Sequence, residues 1–157
     1  MKKLTLKYIE NMPEDIKNYL LSVSGIKSVN ILDDENNINT FEFEYDDKII
    51  KPQNILDEIE LYMKPFFRPE MIMFNKHMNN VKKVKIDNPK ICCEYCYLNC
   101  VYELFENEYI NSFYSKRDNY SLLYEKSKYF EITYIKDDID IKEVVSRYCD
   151  NYKEKAD

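Results

Sequence analysis

Four of the chain's five cysteines fall within one stretch, ICCEYCYLNC at residues 91 to 100, as Cys92, Cys93, Cys96 and Cys100. Such a run admits three uses: a metal site, a disulfide, or apolar packing. Cys93 and Cys96 are separated by two residues and stand where a helical stripe begins. Two thiolates at a loop-to-helix junction can turn their sulfurs on one ion, and a helix N-terminus favours the thiolate over the thiol. Soft ions suit such a pair. Cu(I) accepts as few as two thiolates, whereas structural zinc takes four ligands, so Cu(I) is the first candidate and Zn(II) the second. Cys100 lies one helical turn past Cys96, and Cys92 adjoins Cys93, so either offers a third sulfur to a three-thiolate or shared dimeric site. Cys100 also suits the core as a small apolar filler. Cys149, the fifth cysteine, follows Val145 by one helical turn, and core packing is its expected role.

Other chemistry finds little support. The same CxxC could cycle between dithiol and disulfide, but no proline follows Pro89, and thioredoxin-like proteins set a cis-proline against the pair from later in the chain. His77 is the one histidine; it falls in a polar stretch, NKHMNN, and reads as a solvated side chain rather than a ligand or a base for a cysteine nucleophile. Met71 and Met73 alternate on a strand and read as packing. Asp33 with Asp34, Asp46 with Asp47, and Asp137 with Asp138 read as turns and caps. A single glycine rules out a phosphate-cradling glycine loop. A non-enzymatic role is therefore expected.

Elements that must position the cysteines are visible in the apolar spacing. LTLKY at 4 to 8 alternates as a strand; Ile16, Leu20 and Val23 then recur at helical spacing after Pro13 and stop at Gly25. IKSVNIL and TFEFEYD read as two further strands. Pro52 opens a second helix carrying Ile55, Ile59, Tyr62 and Met63, and EMIMF at 70 to 74 supplies a fourth strand. The order βαββαβ predicts an α+β fold, with a four-stranded antiparallel sheet and both helices on one face, the ferredoxin-like arrangement.

The pattern then restarts. VKKVKID reads as a strand, Leu98, Val101, Tyr102 and Phe105 as a helical stripe, YFEITYI at 129 to 135 as a strand, and Ile141, Val144, Val145 and Tyr148 as a last helix that Asp140 and Glu143 open with a capping-box-like start. YINSFYSK and YSLLYEK, between residues 109 and 126, both look strand-like. KEKAD is too charged for a sheet strand, so the last strand of this half is expected to be altered or missing. The expectation is two tandem ferredoxin-like units, residues 1 to 76 and 80 to 157.

Two such units in tandem, with a cysteine pair between the first strand and first helix of one of them, resemble the heavy-metal-associated domains of copper chaperones and metal-transporting ATPases. In that family a Met-x-Cys-x-x-Cys loop carries the metal. Ile91, Cys92, Cys93, Glu94, Tyr95 and Cys96 stand at the corresponding positions, with Cys93 and Cys96 in the ligand places and Ile91 in place of methionine. The first unit resembles the family through LLSVSGIKSVNILDDENNINTFEFEYDD, but ENMPED at 10 to 15 stands where its motif belongs and holds no cysteine. The resemblance implies a soft-metal binding protein, serving as chaperone, buffer or sensor, whose partners are the ion and a metal-transporting or other protein. The alternative is a ferredoxin-like interaction or regulatory module that binds no metal.

Composition narrows the setting. A formal net charge of -6 gives no electrostatic footprint for nucleic acid or for an anionic membrane. One glycine and three arginines, against fifteen tyrosines and many lysines, asparagines and isoleucines, suggest AT-rich bacterial coding rather than an aromatic binding surface. MKKLTLKYIE lacks the apolar stretch of a signal peptide and no run approaches transmembrane length. A cytoplasmic protein is expected, where clustered thiols stay reduced.

Overall fold

The computed structural model describes residues 1–9, 15–33, 38–63, 71–89, 91, 94–117, 127–136 and 141–149. Among these, seven strands and four helices make a mixed α+β protein. The chain divides into two compact units, Met1–His77 and Met78–Asp157. No helix among the described residues is long and apolar enough to cross a membrane.

The first unit runs β1 (Lys2–Ile9), α1 (Ile16–Leu21), β2 (Ile26–Asp33), β3 (Ile38–Tyr45), α2 (Pro52–Met63) and β4 (Met71–Asn75). Its strands lie in the order β2, β3, β1, β4, and its three pairings are antiparallel. The alternation read in the sequence sets the faces. Leu4 pairs with Phe43 and Leu6 with Phe41, and all four are buried together with Ile16, Leu20, Ile55 and Ile59 of the two helices. Directly opposed residues share a face, so Lys3 opposite Glu44 and Thr5 opposite Glu42 occupy the other side. Burying each large apolar side chain contributes about 1.5–3 kcal/mol relative to exposure.

Two details of the helices differ from the sequence expectation. α1 stops at Leu21 with Ser22 as its C-cap, so Val23 lies beyond the helix, its N–H donating to the Leu20 carbonyl at 3.1 Å. A short last turn of i to i−3 bonds replaces the continued helix. Tyr62 of α2 is not in the core; it stacks on Tyr19 of α1 with ring centroids 4.8 Å apart. Pro13 lies outside the described residues.

The second unit runs β5 (Lys82–Asp87), α3 (Glu94–Glu106), β6 (Ile110–Arg117), β7 (Ser127–Tyr134) and α4 (Ile141–Ser146). Strand order is β6, β7, β5, with β5 and β6 both antiparallel to β7. The pairing scheme of the first unit recurs here, first strand on third and second strand on third. Among the described residues, the segment after α4 makes one isolated antiparallel bridge, Ile91 with Cys149. Tyr97 of α3 packs over Phe113 and Phe130, whose own rings are 4.9 Å apart. Of the two strand-like stretches in the middle of this half, YINSFYSK falls largely in β6; residues 120 to 126 lie outside the described residues, as do Asp140 and KEKAD.

Gly25 explains its own identity. Its φ is +98°, a region that favours glycine. A Cβ there would stand 2.7 Å from Ile50 Cγ2 and 3.0 Å from Ile49 Cγ2, because the Asp46 N–H reaches the Gly25 carbonyl at 2.8 Å and draws that turn against it. Gly25→Ala is expected to destabilise the protein by about 1–3 kcal/mol. The urea midpoint, followed by circular dichroism, should fall for this variant and stay in place for Ser24→Ala at the exposed neighbouring position.

Candidate functional site

Cys96 is the third residue of α3 and half-buried, while Cys100, one turn along, is fully buried. The stripe of Tyr97, Leu98, Val101, Leu104 and Phe105 turns this helix face inward, which is why the same face that carries Cys96 near solvent carries Cys100 into the core. Tyr102, expected within that stripe, is only half-buried. Burial pushes the Cys100 thiol well above its ordinary value of 9.0, with Cys149, Glu103 and Cys96 adding to the rise. Cys100 therefore rests as a neutral thiol. Cys92 and Cys93 lie outside the described residues. Among the described residues no group of three or more His, Cys, Asp or Glu side chains is arranged to hold a metal ion.

Cys149 is buried, as its core-packing reading requires, but its place differs from a simple helical stripe. α4 ends at Ser146, and Cys149 lies past it, hydrogen-bonded through its N–H to the Val145 carbonyl at 3.0 Å and bridged to Ile91. Tyr148, expected on the apolar stripe of α4, instead donates its hydroxyl to Glu103 of α3. Arg147 donates to the same carboxylate and lies 3.7 Å from Glu143. Glu103 thus clamps the end of α4 onto α3, three residues past Cys100. Sequence spacing carried no sign of this clamp, since Glu103 and Tyr148 are 45 residues apart.

The first unit holds no cysteine but has a second polar feature. A groove on the non-core face of its sheet is lined by Lys3, Thr5, Ser28, Asn30, Glu42 and His77, among others. His77, read from the sequence as a solvated side chain, is exposed but engaged: its Nε2 lies 2.8 Å from Thr5 Oγ1, and its N–H donates to Asn75 Oδ1 at 2.8 Å. Its φ of 55° turns the chain so that the ring folds back over β1. Desolvation and the nearby Lys3 ammonium hold its pKa below the usual 6.5, against an opposing pull from Glu42.

The chain matches no protein-family model, no curated protein and no solved structure.

Tyr148 and His77 each supply a test. The Glu103 hydrogen bond, then desolvation, pushes Tyr148 up to about 12. A raised pKa contributes stability that is complete below the ordinary value of 10.0 and is lost as pH climbs through about 12. Ultraviolet titration of tyrosinate should show a late component that Tyr148→Phe removes and that Glu103→Gln shifts down. For His77, NMR of the ring C–H should report a midpoint below 6.5 that rises in Lys3→Ala. An unchanged midpoint there would remove Lys3 as a cause.

Proposed function

We propose that the chain is a non-enzymatic, cytoplasmic soft-metal binding protein built from two ferredoxin-like units, of which the second takes the ion. Cys93 and Cys96 are its principal donors, with Cys92 and Cys100 as further sulfurs. Cu(I) is favoured over Zn(II), since a small set of thiols with no histidine or carboxylate cluster suits a soft ion of low coordination number. The observation that carries this reading is Cys96, a half-exposed thiol in the opening turn of the helix that follows β5. That is the position at which a helix N-terminus favours a thiolate. The heavy-metal-associated resemblance adds the same assignment for Cys93 and the role of chaperone, buffer or sensor, with an ion-transporting protein as the partner. The repeated pairing scheme supports the ferredoxin-like description of both units.

A second reading is a regulatory or interaction module that needs no metal. The polar groove of the first unit, which carries no cysteine, favours it.

Anaerobic titration of the reduced protein with Cu(I) against a chelator of modest affinity separates the two. Under the metal reading the protein competes, a thiolate-to-metal absorption band grows, and Cys93→Ala or Cys96→Ala removes the most tightly held equivalent. A reduced wild-type protein that takes no Cu(I) from the chelator leaves the module as the reading to pursue.

A further inference from the structure

The face of the first unit's sheet that lies away from its core carries two cross-strand rows of polar side chains. The register sets Ser28 of β2 and Lys3 of β1 on either side of Glu44 of β3, and Asn30 and Thr5 on either side of Glu42. Directly opposed residues share a face, and all six line one groove of about 220 Å³ together with His77. Two contacts hold His77 there: its Nε2 lies 2.8 Å from Thr5 Oγ1, and its N–H donates to Asn75 Oδ1 at 2.8 Å. Opposite charges on adjacent strands ordinarily attract across the sheet, and Lys83 and Glu131 of the paired strands β5 and β7 close to 3.6 Å. In the groove they stay apart. Among the described residues, the side chains of Lys3, Glu42 and Glu44 enter no ion pair and no hydrogen bond. One ammonium and two carboxylates therefore line the same space with their hydrogen-bonding capacity unused.

We propose that this groove binds a small zwitterion, a free α-amino acid with an uncharged polar side chain. Glu42 and Glu44 take its ammonium, and Lys3 on the neighbouring strand takes its carboxylate. A simple anion would meet two carboxylates and a simple cation would meet Lys3, whereas a zwitterion complements both signs. Spacing narrows the class further. Adjacent strands lie about 4.8 Å apart, so the two charged ends of the ligand must be close together, as they are across the single carbon of an α-amino acid and are not in a long ω-amino acid. Ser28 and Asn30 stand on the far side of the carboxylates from Lys3 and present a hydroxyl and an amide, which suit a side chain that hydrogen-bonds. Size excludes larger solutes, since drug-sized ligands occupy pockets of about 300–1,000 Å³. This ligand deepens the reading of the first unit as a regulatory or interaction module and rests on it; whether the cysteines take a metal does not enter.

The test is NMR of the full metal-free chain titrated separately with serine, asparagine and glutamine, followed on the His77 ring C–H and on the backbone amides of β1, β2 and β3. At least one of the three is expected to give saturable shifts centred on the groove, with a Kd of about 1 mM or tighter. Ethanolamine and lactate, each with only one of the two charges, should bind at least about tenfold more weakly. Lys3→Ala and Glu42→Gln, both at exposed positions where the fold tolerates change, should each weaken the amino acid by about tenfold or more. Lys7→Ala, on the same strand and face but outside the groove, should leave it unchanged. Circular dichroism of each variant is expected to match wild type. No saturable shift with any of the three amino acids, binding that a folded Lys3→Ala leaves intact, or ethanolamine bound as tightly as the amino acid overturns the proposal. Cu(I) uptake, which decides between the metal and module readings, is measured independently, so a failed ligand and a failed module reading are told apart.

Discussion

Antiparallel pairing of the first strand with the third is the constraint on which each unit depends. It is a register condition: with Leu4 against Phe43 and Leu6 against Phe41, every other residue of both strands is committed to the core, and Lys3, Thr5, Glu42 and Glu44 are committed to the opposite face. A slip of one residue would invert both sets at once. The second unit repeats the condition with less apolar material. Ile86 against Phe130 is buried, but Lys82, Lys83 and Lys85 leave much of β5 exposed. Its core depends correspondingly more on α3, whose Tyr97 covers Phe113 and Phe130.

That dependence gives the cysteine run its setting. α3 must present one face to β6 and β7, so its rotation is fixed by packing and not by the thiols. Cys96 and Cys100 share that rotation, and the depth difference between them follows from how far along the helix each lies. The ion pair of Arg147 with Glu103, half-exposed on both sides, is worth little as an isolated surface contact. Its effect is geometric: together with the Tyr148 hydroxyl it decides where the chain beyond α4 lies, and Cys149 is carried with it.

Period-two and helical spacing were enough to read the order of elements in the first unit, because Leu4, Leu6, Phe41 and Phe43 alternate cleanly and Ile55 and Ile59 recur one turn apart. Spacing was enough to place Cys96 in an opening helical turn for the same reason. It failed where contacts are long-range. Nothing local distinguishes Tyr148 as a partner of Glu103 from Tyr148 as the next member of an apolar stripe, since the ring satisfies the stripe and the hydroxyl is recognised only by a residue on another helix. His77 is exposed, as its polar neighbours imply, but its contact with Thr5 depends on the turn after Asn75 and is not legible from spacing. Val23 fits the helical period of α1, but it lies past the helix end, where the chain is already turning toward the tight approach at Gly25.

Burial sets how each thiol of α3 behaves. A buried cysteine is ordinarily inert, because desolvation keeps the proton on sulfur and solvent-borne reagents cannot reach it. The Cys100 thiol, with zero exposure, is in that condition, and the nearby Glu103 carboxylate reinforces it. Cys96 and Cys100, one turn apart on one helix face, therefore differ in reactivity, since only the first reaches solvent and burial holds the proton on the second.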